Sequence, residues 1–190
     1  AGIFLAEAQL RLNGYVGFAK ATTYITGCLQ QYWETCHPQL DADDDDDPTM
    51  RINAVLALTD DSRILRGVRR APLTKSRTFG ALSLRDIAVA EGEITPTSDM
   101  DVVPDAGQVS AAFQDTDEDE LREIAAAAAQ ALADITAIDA VFSEMTPGSG
   151  PDLDPLLKLL KQANNKLSAA LGGEVEVAEE DDGEVSQGSG

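Results

Sequence analysis

The chain has 190 residues and a formal net charge of −20, with 34 Asp and Glu against 14 Lys and Arg. That balance excludes nucleic-acid binding by bulk electrostatics and disfavours an anionic membrane surface, because like charges repel. The length suffices for one domain with a real core, or one domain plus a tail.

Aliphatic residues are ample, aromatics few and alanine abundant. This favours packed helices over strands, since alanine is the best helix former and strands prefer β-branched and aromatic residues. No uninterrupted apolar run approaches the roughly 20 residues that span a bilayer, and no signal-peptide pattern opens the chain, so direct membrane insertion is not expected. Cys28 and Cys36 lie eight residues apart. On one helix they would sit roughly 12 Å from each other, too far for a disulfide. Two free thiols suit a reducing, cytosolic compartment. The opening at Ala1, already in helical pattern, reads as a piece of something longer.

In chain order, residues 2–13 place Leu5, Ala8, Leu12 and Ile3 or Phe4 on one face, and Gly14 supplies a stop. From Tyr15 to Thr35 the apolar positions Phe18, Thr22, Ile25, Leu29, Tyr32 and Trp33 recur at steps of three and four. Pro38 ends that helix, because the residue before a proline is pushed out of helical geometry. Two helices joined at Gly14 with almost no loop should form an antiparallel pair.

The stretch Tyr32–Asn53, YWETCHPQLDADDDDDPTMRIN, holds the only tryptophan, the only histidine and a run of five aspartates. Asp47-Pro48 reads as N-cap and first helical residue, opening a helix to about Leu58 that buries Ile52, Val55 and Leu56. A short helix follows, with Ser62 as its cap, Ile64, Leu65 and Val68 inward, and Arg63, Arg66, Arg69 and Arg70 on the other face. With Lys75, Arg77 and Arg85 these are seven of the fourteen basic residues within 23 positions. Thr78-Phe79-Gly80 reads as a turn or short strand. Ser83 with Asp86 is a minimal capping box for a helix ending near Gly92. Residues 93–107 read as a loop, and Gln108–Phe113 as a short helix.

Thr116-Asp-Glu-Asp-Glu opens a long helix to about Met145, with Leu121, Ile124, Ala128, Leu132, Ile135, Ile138, Phe142 and Met145 inward. After Thr146-Pro147 a last helix starts at Asp154-Pro155. It buries Leu156, Leu157, Leu160, Ala163, Leu167 and Leu171, and stops at Gly172-Gly173. The expected fold is all-α, an antiparallel bundle of about seven helices with an acidic inter-helix loop. Residues 1–172 form one helical domain, and the acidic, then Gly/Ser-rich residues 173–190 form a disordered tail or linker.

The aspartate run Asp43, Asp44, Asp45, Asp46 and Asp47 invites a calcium loop, which needs glycine at position 6 and glutamate at position 12. Counted from Asp41 those positions are Asp46 and Ile52; counted from Asp43 they are Pro48 and Ala54. Both frames fail, and a solvated loop whose last member caps a helix is the better reading. The rival, a divalent-cation site or metal-dependent hydrolase on Asp43–Asp47, stays open as the alternative. His37 beside Cys36 would need two further zinc ligands, and only Cys28 is on offer. His37 instead closes the helix end, with Trp33 and Tyr32 packed beneath it. Neither a phosphate-binding loop nor an acid/base pair stands out, so no catalytic residue, metal ligand or cofactor is expected. The arginine-rich helix is a solvated face, an internal partner of the aspartate loop, or a docking face for an acidic partner. Internal pairing is favoured by proximity in sequence, although exposed pairs contribute only ~0–1 kcal/mol each.

The same residues resemble the ImpA-type N-terminal domain of the type VI secretion TssA proteins. Tyr32, Trp33, Glu34, Thr35, His37, Pro38, the run Asp43–Asp47, Pro48, Arg51, Ile52 and Asn53 match its signature. Upstream AEAQLRLNGYVGF, and downstream RRAPL and Ser83–Asp86, extend the likeness from Ile3 to Gly92. Family members usually carry further helices before this point, and a C-terminal oligomerising domain that is absent here, so ring formation does not transfer. The resemblance implies a non-enzymatic, cytoplasmic assembly factor at the secretion apparatus by the inner membrane. Its partners would be baseplate, sheath/tube and membrane-complex proteins. The expected contact residues are the Asp43–Asp47 loop and Arg63, Arg66, Arg69 and Arg70. Tyr32, Trp33, His37, Pro38, Pro48, Arg51 and Asn53 would form the structural motif.

Overall fold

A computed structural model describes residues 1–100 and 102–172; the expected tail at 173–190 lies outside the described residues. Among those residues the chain forms seven α-helices and no strand. They are α1 (Gly2–Gln31), α2 (Thr49–Leu56), α3 (Arg66–Arg70), α4 (Leu84–Ala90), α5 (Ala106–Asp115), α6 (Glu118–Met145) and α7 (Asp154–Ala170). The described residues are all-α, as the composition favoured.

Gly14 breaks α1 into two arms with φ 56° and ψ −143°, a backbone region open to glycine and strained for other residues. The arms fold back on each other: a Cβ on Gly2 would lie 3.0 Å from Ile25. In a straight helix those residues would stand about 35 Å apart. Gly17 seals the bend, for a Cβ there would sit 2.6 Å from the Gln9 carbonyl oxygen. The antiparallel pair expected from Gly14 is therefore present. The second arm ends at Gln31, however, and not near Thr35.

The inward face of the first arm differs from the expected one. Ala6 and Leu10 are buried and Ile3 half-buried, while Phe4, Leu5, Ala8 and Leu12 face outward. This arm is apolar on two sides, and the closeness of the partner arm selects the side with the small Ala6.

α1 packs chiefly along α6, and α6 along α7. Leu121, Ile124, Ala128, Ile135, Ile138 and Phe142 of α6 meet Leu156, Leu160, Ala163 and Leu167 of α7 in one core. Leu132 and Leu157 are only half-buried, and Met145 and Leu171 are exposed. By length and composition α6 could cross a bilayer, contrary to the expectation from uninterrupted runs. Here nine of its residues are buried, among them Asp134. That carboxylate accepts hydrogen bonds from Thr22 (2.8 Å), Thr23 (2.7 Å) and Gln130 (2.8 Å). An acid on the inward face thus pins α6 to α1 through a row of threonines, since a buried charge must be hydrogen-bonded to be tolerated.

Caps set the remaining ends. The Ser83–Asp86 capping box opens α4 as expected. Asp105 and Gln108 form a second box that opens α5 earlier than the sequence reading placed it. Asp60, rather than Ser62, caps the helical turn 61–65 that runs into α3; its carboxylate accepts from the Ser62 and Arg63 amides.

Candidate functional site

The corner between α1 and α2 is built around Arg51. As the third residue of α2 it points back at the end of α1 and is almost completely buried, at 1% exposure. Its guanidinium donates to the carbonyls of Trp33 (2.5 Å), Cys36 (2.6 Å) and Pro38 (2.8 and 3.0 Å). It also stacks 4.7 Å over the Trp33 ring. Trp33 in turn meets Phe142 edge-to-face, with centroids 5.2 Å apart. Carbonyl dipoles and a π-face, in place of a carboxylate, hold this charge. The peptide bond His37–Pro38 is cis.

His37 does not close the helix end. It is exposed, as are Tyr32 and Asn53, and Arg51 gathers the loose carbonyls instead. A single histidine could satisfy at most two such groups as a donor, whereas a guanidinium carries five donors in a planar fork. Burial holds the Cys36 thiol above its usual range, against the opposing pull of Arg51.

The acidic loop hangs from this corner. Asp41 and Asp47 bridge through the Asp41 amide and the Asp47 carbonyl (3.1 Å), and the Asp47 amide returns to Asp44 (3.0 Å). Asp45 and Asp46 adopt positive φ, 49° and 58°, a conformation that aspartate tolerates better than most side chains. Asp43, Asp44, Asp45 and Asp46 are exposed. Asp47 is not the expected N-cap: Pro48 holds that position, and Asp47 accepts from the Thr49 hydroxyl at 2.9 Å. Among the described residues no three His, Cys, Asp or Glu side chains converge in a way that could hold a metal ion. A groove of about 380 Å³ runs between Asp45–Asp47, Trp33, Ile52, Met145 and Pro147.

Arg63, Arg66, Arg69 and Arg70 lie elsewhere. Arg63 binds Glu7 (Nε, 2.7 Å) and stacks on Phe4; Arg69 binds Asp61 at 2.6 Å; Arg70 shares Asp99 with Arg85. None of these pairs uses Asp43–Asp47, so internal pairing with the loop is corrected. The loop sits by Met145 at one end of α6, and Arg63, Arg66 and Arg70 by Ile124 near the other. At 1.5 Å per residue those ends are about 32 Å apart, far beyond a Debye length of about 8 Å. The Arg63 hydrogen bond holds Glu7 below the usual carboxylate range, and those from Arg85, Thr97 and Arg70 do the same for Asp99.

Residues 2–60 match the sequence family described as ImpA, N-terminal, type VI secretion system. Over 160 residues the chain is also 37% identical to the type VI secretion system component TssA1 of Pseudomonas aeruginosa, covering 84% of this chain and 45% of that protein. Residues 2–60 are thus similar to the ImpA N-terminal region. The fold agrees: the N-terminal domain of the Burkholderia cenocepacia TssA component, which includes the conserved ImpA_N region, superposes with a TM-score of 0.70 at 19% identity. That match covers 89% of this chain and 69% of that one. The chain spans less than half the length of its curated relative.

The matched span contains the whole of Tyr32–Asn53 and stops before Ser83. Sequence pattern marks Arg51 as a motif member but does not assign it the corner's carbonyls. Nor does it connect Arg11 and Lys20 with the arginines, although both line one cleft with Arg63, Arg66 and Arg70. The fold-back at Gly14 was the signal that could have joined them.

Proposed function

We propose that this chain is a non-enzymatic docking and scaffolding module of a type VI secretion apparatus. It would act on the cytoplasmic side of the inner membrane, where baseplate, sheath/tube and membrane-complex proteins are its partners. The match of residues 2–60 to the ImpA N-terminal family supports the apparatus, and one observation supports the mode of action. The corner's conspicuous chemistry, Trp33, Cys36 and Arg51, is consumed in packing, while Asp43–Asp46 project into solvent from a loop closed by its own backbone. A rigid, charged projection suits recognition, because ordering a loop in advance lowers the entropy lost on binding. The Asp43–Asp47 loop and the Arg63, Arg66, Arg69 and Arg70 face would then be two separate contact surfaces. Self-association of the whole protein would reside outside residues 1–172, the helical domain proposed here.

Capture of purified baseplate, sheath/tube and membrane-complex components tests this reading. Neutralising Asp43–Asp47 to asparagine, or reversing Arg66 and Arg69 to glutamate, should each abolish capture of at least one component while helical circular dichroism is unchanged. Capture of every component by both variants, at wild-type level, would overturn it.

A further inference from the structure

A cleft of about 940 Å³ lies at the bend of α1, against the segment 62–75 and the start of α6. Six cationic side chains line it: Arg11, Lys20, Arg63, Arg66, Arg70 and Lys75. One carboxylate, Glu123, faces them. Four of the six are already paired: Arg11 and Arg63 share Glu7, Arg70 meets Asp99, and Lys75 meets Glu120 at 3.3 Å. Lys20 and Arg66 are exposed and have no carboxylate partner among the described residues. Nearly half of the cations of a chain of charge −20 therefore face one concavity. Its wall is apolar in part, through Val16, Pro72 and Ile124, and Leu12 stands on the rim at 78% exposure.

We infer that this cleft docks an acidic peptide segment of another protein, one that carries apolar side chains between its carboxylates. The inference rests on the docking role of the arginine face proposed above and names the chemistry of what that face receives. Lys20 and Arg66 supply charges without partners, and a guanidinium fork fits a carboxylate in two hydrogen bonds. The apolar wall and Leu12 give the intervening side chains somewhere to go. A nucleic acid fits the same site poorly. Its bases need aromatic faces to stack on, and the aromatic side chain in the lining, Tyr15, is buried with its hydroxyl donated to the Val68 carbonyl at 3.0 Å.

The test is fluorescence anisotropy of a labelled peptide of alternating glutamate and leucine, titrated with the full chain. Saturable binding should weaken roughly tenfold in Lys20→Glu/Arg66→Glu, and also as salt is raised, since exposed charges are screened. Lys20→Met/Arg66→Met is the second variant should reversal disturb folding, and it should weaken binding in the same direction. Trp33 emission, reporting from the far end of α6, checks that each variant is folded. Unchanged affinity in both folded variants, equal binding of a lysine–leucine peptide, or tighter binding of an oligonucleotide would each overturn the inference. The probe contains no secretion protein. Peptide binding without capture of secretion components therefore overturns the secretion role alone, and capture without peptide binding overturns the peptide alone.

Discussion

Replacing Arg51 by methionine keeps most of the side chain's volume and removes its fork. Three carbonyls, those of Trp33, Cys36 and Pro38, then lose charge-assisted hydrogen bonds, four in all. Such bonds are worth roughly 1.5–3 kcal/mol each, and losing the stack on Trp33 costs about 0.5–1 kcal/mol more. Two effects work the other way. The guanidinium no longer has to be desolvated, which returns several kcal/mol, and water reaches carbonyls in a corner whose neighbours Glu34, Thr35 and His37 are exposed. The net cost expected is about 3 kcal/mol. In a domain of this size that lowers the thermal midpoint by roughly 6–12 °C. Circular dichroism melting gives the midpoint. The emission of Trp33, the only tryptophan, reports the corner itself and should shift in the folded state. Lysine at 51 retains the charge without the planar fork and should fall between wild type and Arg51→Met. A midpoint for Arg51→Met within about 2 °C of wild type, with unaltered Trp33 emission, would refute the assignment of Arg51 as the corner's anchor.

Two further perturbations follow from the same geometry. Gly17→Ala should destabilise the domain by about 1–2 kcal/mol: forcing the arms apart at the Gln9 carbonyl outweighs the roughly 1 kcal/mol that alanine gains over glycine in a helix. A raised melting midpoint would show that the arms do not approach so closely. Glu7, Asp60, Asp99 and Asp115 are all held below the usual carboxylate range by hydrogen bonds from Arg63, Ser62, Arg85 and Ser76 respectively. Their stabilisation is complete above the unfolded-state values of about 4 and is lost as pH falls below them. The midpoint should therefore drop between about pH 5 and pH 3, and Asp99→Asn should flatten that dependence. An identical slope in the variant would count against the Arg70–Asp99–Arg85 cluster.

Much of this architecture can be read from punctuation and periodicity. Gly14 and Gly172 mark ends by backbone constraint alone, whereas Pro38 lies seven residues past the end of α1, and the stripes of α6 and α7 follow helical spacing with few interruptions. What escapes is whatever tertiary contact decides. Leu5, Ala8 and Leu12 make as good a stripe as Ile3, Ala6 and Leu10, and only the fold-back of α1 chooses between them. Asp134 breaks the apolar pattern of α6 and becomes intelligible when Thr22 and Thr23 are brought to it from 112 and 111 residues away. Opposite charges close in sequence, Asp43–Asp47 and Arg63–Arg70, suggested a pairing that the length of α6 forbids. At the corner the residue types were conspicuous but their division of labour was not. Histidine is the expected closer of the helix end, and arginine does the holding.

The central claim is that the Asp43–Asp47 loop is a recognition element displayed by an inert corner. It is tested most directly by changing all five aspartates to asparagine in the full-length protein, in cells whose type VI secretion depends on it. Release of the tube protein into the medium is then measured. The account predicts release reduced to background, with the protein at its normal level and Trp33 emission of the purified variant unchanged. Normal release from such cells would contradict it.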